Sequence, residues 1–262
     1  MSILLLATLG LLVGLTIGTL GGGGGLLTVP ILIYLLDQTP ADATTGSVVI
    51  VGIISLAGVL SRLRGHTIDW RTGLILGALG IPAAWAGSLA SRSVPNGILL
   101  GAFAVLTLTV ATLMVFRRRS RANTDRTDGV APSYVTATPR QAVYVFAAGT
   151  MIGFLTGFLG VGGGFLVVPV LTILLGLSMT ASIATSLLVL TVTSATSLIA
   201  RLDQLDLDWS VIGPFAAVAV FGALAGKPLA DRLSATALNH GFVALLLLVG
   251  GLVGLDSLLA TI

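Results

Sequence analysis

Two runs of glycine are the residues whose type and spacing most directly suggest binding chemistry. They span Gly21–Gly25 and Gly160–Gly164, and each is followed by a short apolar stretch, Leu26–Leu36 or Phe165–Leu175. At a helix start the first N–H groups lack intrahelical partners and the helix dipole is positive. Glycine also lets the backbone come close to a ligand. The runs therefore predict a backbone site for a small oxyanion, with ligands at Gly22, Gly23, Gly24, Gly25, Gly162, Gly163 and Gly164.

Close helix packing is the alternative explanation for the many glycines. We favour packing for the glycines that are spaced four apart, because such ridges are typical of helix contacts in membranes: Gly10, Gly14, Gly18, Gly149, Gly153 and Gly157. Packing requires one glycine per turn, whereas each of the two runs has at least four glycines in five positions. For the runs we therefore favour binding.

Hydroxyl groups after each apolar stretch are a second set of candidate ligands. Ser47 lies in the first half of the chain, and Thr185 and Ser186 lie at the matching place in the second half. A hydroxyl donates a hydrogen bond to an anion without the cost of burying a charge. Alternatively, each hydroxyl bonds to a carbonyl of its own helix, which is common in membrane proteins.

Arg62 and Arg201 end the helices that carry these hydroxyls. Both are candidates for attracting the anion, but we favour snorkelling to the membrane interface or pairing with Asp69 and Asp208. Each of these aspartates precedes a tryptophan, a pair that predicts the cap and the interfacial anchor of the next helix. No Asp or Glu lies in the middle of a predicted span, so a carboxylate proton relay has no support.

The elements that position these residues are membrane-spanning helices. The chain is 55% hydrophobic and 9% charged, whereas soluble domains are about 25% charged. This composition excludes a soluble enzyme, a nucleic-acid-binding module and a disordered protein. There is no cysteine and there are two histidines, so disulfides and thiolate or histidine metal clusters are excluded. Seven long apolar stretches, divided at the two glycine runs and again at Gly176–Ser178, predict ten helical segments, two of them half-length.

The two halves of the chain repeat one another in a single register, in which Leu9 aligns with Ala148 and Leu36 aligns with Leu175. Between these limits, 14 of 28 positions are identical, and the same repeat register aligns Arg62 with Arg201. The predicted organisation is a first transmembrane repeat at 1–116, a linker at 117–139 and a second transmembrane repeat at 140–262.

Each repeat contains five helical segments, and an odd number of segments predicts that the two repeats are inverted in the membrane. With the linker in the cytoplasm, 11 basic loop residues lie on the cytoplasmic side and two lie outside. The positive-inside rule favours this orientation. The predicted fold is an all-α integral membrane protein with two inverted repeats, a cytoplasmic linker and both chain ends outside.

At these residues the sequence resembles the TauE/SafE family of membrane transporters, the sulfite exporter family. The resemblance rests on the glycine-rich segments that end in proline, Gly21–Pro30 and Gly160–Pro169, on Gly46-Ser47 and Thr185-Ser186, and on the Asp-Trp pairs. It covers both halves of the chain. It implies transport of sulfite, sulfonates or related sulfur-containing anions.

The sequence and the resemblance together predict a secondary transporter in the cell membrane, inner or plasma, that exports a small sulfur-containing anion by alternating access. An anion-selective channel that uses the same glycine runs is the alternative. No catalytic dyad or metal cluster is visible, so we predict neither enzyme activity nor a cofactor. The predicted partners are the anion and the lipid bilayer, without nucleic acid, and a homo-oligomer is left open.

Overall fold

Nearly all of the described chain is helical, and that part contains no β-strand. The structure is a computed structural model that describes residues 3–36, 38–65, 67–91, 94, 96–121, 139–159, 164–199 and 208–259. These ranges contain the ten predicted helical segments: α1 Ile3–Leu20, α2 Gly25–Pro30, α3 Pro40–Arg62, α4 Trp70–Ser91, α5 Asn96–Arg121, α6 Pro139–Leu159, α7 Gly164–Ile173, α8 Met179–Ile199, α9 Trp209–Arg232 and α10 Ala235–Leu259.

The helices identify a multi-pass membrane protein. Six helical stretches of the described residues are long and apolar enough to cross a bilayer. The outer surface carries large exposed apolar side chains, among them Trp85, Phe116 and Phe221, as expected of a surface that contacts lipid. The prediction of an all-α membrane protein is confirmed.

Local capping residues start several of these helices as the sequence predicts. Asp69 accepts hydrogen bonds from the N–H of Thr72 at 3.1 Å and from its hydroxyl at 2.7 Å, at the start of α4. Asp208 accepts from the N–H of Ser210 at 3.0 Å and caps α9. The predicted capping role of the two Asp-Trp pairs is confirmed.

The break between α1 and α2 is confined to one residue. Gly21 has a left-handed φ of 72°, which glycine adopts without steric cost. Gly21–Gly24 then form a 3₁₀ turn that leads directly into α2, and a π-helical segment, Ile31–Leu35, follows Pro30. The glycine run is therefore itself helical, so that its backbone forms hydrogen bonds within the membrane.

Both half-length helices end with equivalent hydrogen bonds. The N–H of Gln38 donates to the carbonyl of Leu32, and the N–H of Leu177 donates to the carbonyl of Leu171, both at 3.0 Å. The two bonds coincide in the repeat register. Gly176, at φ 72°, makes the turn before Leu177, as glycine does in the Schellman motif that ends many helices.

The first helix of each repeat packs against the fourth helix of the other repeat. α1 of the first repeat lies along α9 of the second, and α6 of the second lies along α4 of the first. A Cβ built on Gly14 would overlap the carbonyl of Ala219, and one built on Gly153 would overlap the carbonyl of Gly80. These contacts are equivalent in the repeat register. The packing interpretation of the spaced glycines is confirmed.

A second pair of equivalent crossings shows compensating side chains. A Cβ on Gly46 of α3 would lie 2.9 Å from Cδ1 of Ile212 on α9. At the matching crossing, a Cβ on Gly73 of α4 would lie 3.3 Å from Cγ2 of Thr185 on α8. Gly46 aligns with Thr185 and Gly73 aligns with Ile212 in the repeat register, so each crossing has one side chain and one glycine.

The core of the protein is built around α8. Its side chains belong to all three clusters of buried apolar residues, through Leu187, Ile183 and Val189. The helix packs on α3, α4 and α7. Since the predicted hydroxyl ligands of the second repeat lie on α8, they are held at the centre of the helix bundle.

Candidate functional site

The first glycine turn meets the start of α7 and the middle of α8 at one crossing point. A Cβ on Gly21 would lie 2.5 Å from Oγ of Ser186. A Cβ on Gly22 would overlap the carbonyl of Gly164, and one on Gly164 would lie 2.6 Å from Cδ2 of Leu190. Side chains are excluded at Gly22 and Gly164 because backbone approaches backbone. The structure thus brings together Gly22, Gly164 and Ser186, three of the predicted ligands.

The remaining glycines of the first turn are also packed against protein. A Cβ on Gly23 would lie 2.9 Å from Cδ2 of Leu245 and 3.1 Å from Cε2 of Phe242, both on α10. A Cβ on Gly24 would overlap the side chain of Ile17 on α1. Tight packing therefore accounts for the missing side chains at both positions. Anion binding by their N–H groups stays a prediction.

The serine hydroxyls bond to their own helices in this conformation. Ser47 Oγ donates to the carbonyl of Thr44, and Ser186 Oγ donates to the carbonyl of Ile183, both at 2.8 Å. The two serines are repeat equivalents with the same local geometry. An anion that binds either hydroxyl as a donor has to replace this intrahelical bond.

Thr185 joins the second repeat to the loop before α4. Its Oγ1 accepts a hydrogen bond from the N–H of Asp69 at 3.1 Å, and its side chain is fully buried. Asp69 in turn caps α4, so Thr185 positions the beginning of that helix. This contact joins residues 116 positions apart and is not visible in the sequence.

Arg62 is buried, contrary to the interpretation that it snorkels or pairs with Asp69. Its side chain is 5% exposed, Nη2 donates to the carbonyl of Gly18 at 2.5 Å, and Nη1 donates to the carbonyl of Gly58 at 3.3 Å. The oxygen of Gly18 belongs to the last turn of α1, where carbonyls lack intrahelical partners. The Asp69 carboxylate instead accepts hydrogen bonds from the N–H and the hydroxyl of Thr72.

Three of the predicted site residues, Gly162, Gly163 and Arg201, lie outside the described residues, as does most of the predicted linker. Within the described ranges, α5 continues to Arg121, beyond the predicted end of the first repeat at residue 116. No group of three or more His, Asp or Glu side chains in the described ranges is placed to hold a metal ion.

One polar side chain of α8 was missed by the sequence analysis. The hydroxyl of Ser182 is fully buried, and no residue that the structure describes forms a hydrogen bond with it. Ser182 lies four residues before Ser186 and so shares its helix face. That spacing is the one signal in the sequence that indicates this residue.

Comparison with known proteins gives a consistent result over most of the chain. The family model described as Sulfite exporter TauE/SafE matches residues 6–253. A probable membrane transporter protein of Xylella fastidiosa is 31% identical over 230 residues, which cover 86% of this chain and 84% of the relative. The probable membrane transporter protein YunE of Bacillus subtilis is 24% identical over 264 residues, which cover 95% and 96% of the two chains. No solved structure shows a significant match.

Proposed function

The chain belongs to the sulfite exporter TauE/SafE family of membrane transporters, and from this premise we propose that it carries a small sulfur-containing oxyanion across the cell membrane. Sulfite and short sulfonates are the proposed substrates, and export is the proposed direction. The protein is a multi-pass membrane transporter and not an enzyme.

The contact between Gly22 and Gly164 is the observation on which the proposed site rests. The first glycine turn and the start of α7 come from different repeats, yet their backbones touch directly beside Ser186. Backbone N–H groups at helix starts bind oxyanions, and irregular backbone inside a membrane is tolerated where it is buried or lines a cavity. The proposed ligands are Gly22, Gly23, Gly24, Gly25, Gly162, Gly163 and Gly164 of the two runs, together with Ser47, Thr185 and Ser186.

Alternating access is supported by the exchange of equivalent contacts between the repeats. α1 packs on α9 as α6 packs on α4, so each half contributes to the other a matching surface. Inverted repeats with such a central site are typical of secondary transporters. We propose that the repeats move against one another around the glycine crossing, with the linker in the cytoplasm.

An anion panel with purified protein tests the substrate class. Sulfite, sulfate, thiosulfate and a short sulfonate are added at equal ionic strength, with chloride as the control, and the melting temperature is measured. A ligand at a hundred times its Kd adds about 2.7 kcal/mol to the stability of the folded protein. Stabilisation by sulfite or the sulfonate supports the proposal, and the absence of any stabilisation beyond that of chloride contradicts it.

Flux measurements separate the transporter from the channel. In proteoliposomes, a transporter gives saturable uptake and counterflow, in which an excess of unlabelled anion on one side draws labelled anion in from the other side. A channel gives unitary currents and no counterflow. Currents without counterflow would contradict alternating access while leaving the anion site in place.

A further inference from the structure

Ser182 is a buried donor whose hydroxyl has no partner in the described part of the chain. Its side chain is 0% exposed, and it is the one buried side-chain N or O atom among the described residues that makes no hydrogen bond. Buried hydroxyls are almost always bonded, because leaving one unpaired costs stability. Most other Ser and Thr hydroxyls of the described helices donate to a carbonyl three or four residues earlier, as Ser186 does.

The position of Ser182 places it beside the glycine crossing. Ser182, Ser186 and Leu190 are spaced four apart on α8 and therefore lie along one face of that helix, with neighbouring Cβ atoms about 6 Å apart. Ser186 faces Gly21, and Leu190 faces Gly164. Ser182 thus lies one helical turn from Ser186, along the face of α8 against which the first glycine turn and the start of α7 pack.

The first repeat has no equivalent of this hydroxyl. Position 43, which aligns with Ser182 in the repeat register, is Ala43, and it is equally buried. Packing at this place in the fold is therefore satisfied by a methyl group. The additional oxygen of Ser182 is not required to fill the space.

We infer that the Ser182 hydroxyl donates a hydrogen bond to an oxygen of the transported sulfur oxyanion. This inference rests on the proposed function and adds a ligand to the same site. Ser182 contributes its donor from the second repeat alone, so the site is chemically asymmetric. The Ser182 hydroxyl has no acceptor among the described residues, so it is available to the anion without breaking an intrahelical bond, unlike the hydroxyls of Ser47 and Ser186.

The test compares stability with anion affinity in Ser182→Ala. Without anion, the variant is expected to melt at the same temperature as the wild type or higher, because an unpaired buried polar group is removed. Its affinity for the anion that binds the wild type best in the panel of sulfite, sulfate, thiosulfate and short sulfonate is expected to fall about tenfold or more, as for loss of one hydrogen bond to a charged group. In Ser182→Cys the thiol has a similar shape to the hydroxyl but is a weaker donor. The anion affinity of this variant should therefore stay as low as that of Ser182→Ala.

Ser55→Ala is the matched control. Ser55 is also fully buried, but its hydroxyl donates to the carbonyl of Val51 at 2.6 Å on α3, and its loss should leave anion affinity unchanged. Equal affinity in wild type and Ser182→Ala would overturn the inference while the proposed function stands. Restoration of affinity by Ser182→Cys would show that volume and not donation matters, and would also overturn it. A wild type that binds no anion of the panel would overturn both.

Discussion

Arg62 donates a hydrogen bond to the carbonyl of Gly18, which lies 44 positions earlier in the chain. Gly18 is in the last turn of α1, just before the chain turns at Gly21. The guanidinium thus donates a hydrogen bond to a carbonyl at the end of α1, where carbonyls lack intrahelical partners. Its positive charge also interacts favourably with the negative end of the helix dipole. The C-terminal end of α3 and the break after α1 are joined by this one side chain.

Replacement of this side chain should lower stability before it affects binding. Arg62→Ala removes the bonds to the carbonyls of Gly18 and Gly58, and the expected loss is about 1.5–3 kcal/mol, as for a hydrogen bond to a charged group. Arg64→Ala, at an exposed neighbouring position, is the control and should change stability by less than about 0.5 kcal/mol. Melting temperatures in detergent measure both. An Arg62→Ala protein of normal stability that fails to bind anion would show that Arg62 attracts the substrate instead.

The close contact between α1 and α9 predicts that alanine substitutions at two glycines have opposite effects on stability. Gly14→Ala places a methyl group against the carbonyl of Ala219, whereas a Cβ on Gly213 meets nothing within 4 Å. Gly14→Ala should therefore lower the free energy of unfolding by about 1–3 kcal/mol or more, because the added methyl group overpacks the contact. Gly213→Ala should be neutral or gain up to about 1 kcal/mol from helix propensity. Unfolding measured on both variants checks this, and equal stabilities would contradict the close contact between α1 and α9.

The glycine turn allows binding and packing to be separated at Gly23. A methyl group there meets the side-chain ends of Leu245 and Phe242, which can move, so the variant should remain folded. If the N–H groups of the turn bind the anion, Gly23→Ala lowers affinity, and adding Leu245→Val, which removes the nearest obstructing atom, does not restore it. Recovery of both affinity and melting temperature in the double variant would show that the turn is a packing device.

The sequence predicts the number and order of the helices well because charges, glycines and Asp-Trp caps act locally. It places helix ends less well where a helix continues past its apolar stretch. The uncharged stretch that begins at Trp209 ends at Gly226, but α9 continues to Arg232, and an ion pair between Lys227 and Asp231, at 3.4 Å, supports this added length. The interfacial part of a helix needs no apolar residues, so hydropathy does not reveal it.

The site could be predicted from the sequence only in part, because its remaining features are tertiary contacts. The glycine run indicated the crossing point, but not that Gly22 would touch Gly164 or that the run itself would be helical. Arg62 was expected at the interface because its partner, the carbonyl of Gly18, belongs to another helix. Ser182 has no local signature, since a single serine in an apolar helix usually bonds to its own backbone.

Membrane orientation is predicted by the distribution of basic residues and is tested by cysteine labelling. The native chain has no cysteine, so a single Cys at Asn123 in the linker provides an isolated probe. In intact cells it should not react with an impermeant maleimide, and it should react after permeabilisation. Labelling of intact cells would contradict a cytoplasmic linker.

A pair of equivalent positions then tests whether the two repeats are inverted. Gly65, after α3, aligns with Gln204, after α8, in the repeat register. A Cβ on Gly65 would have only ordinary contacts with Thr67, so Gly65→Cys is expected to fold.

In inverted repeats the two positions lie on opposite sides of the membrane, whereas in parallel repeats they lie on the same side. Five helical segments per repeat and the excess of basic residues near Gly65 predict that Gln204→Cys is labelled from outside and that Gly65→Cys is not. Equal labelling of the two variants in intact cells would show that the repeats are parallel, and rocking of inverted halves around the glycine crossing would then have to be abandoned.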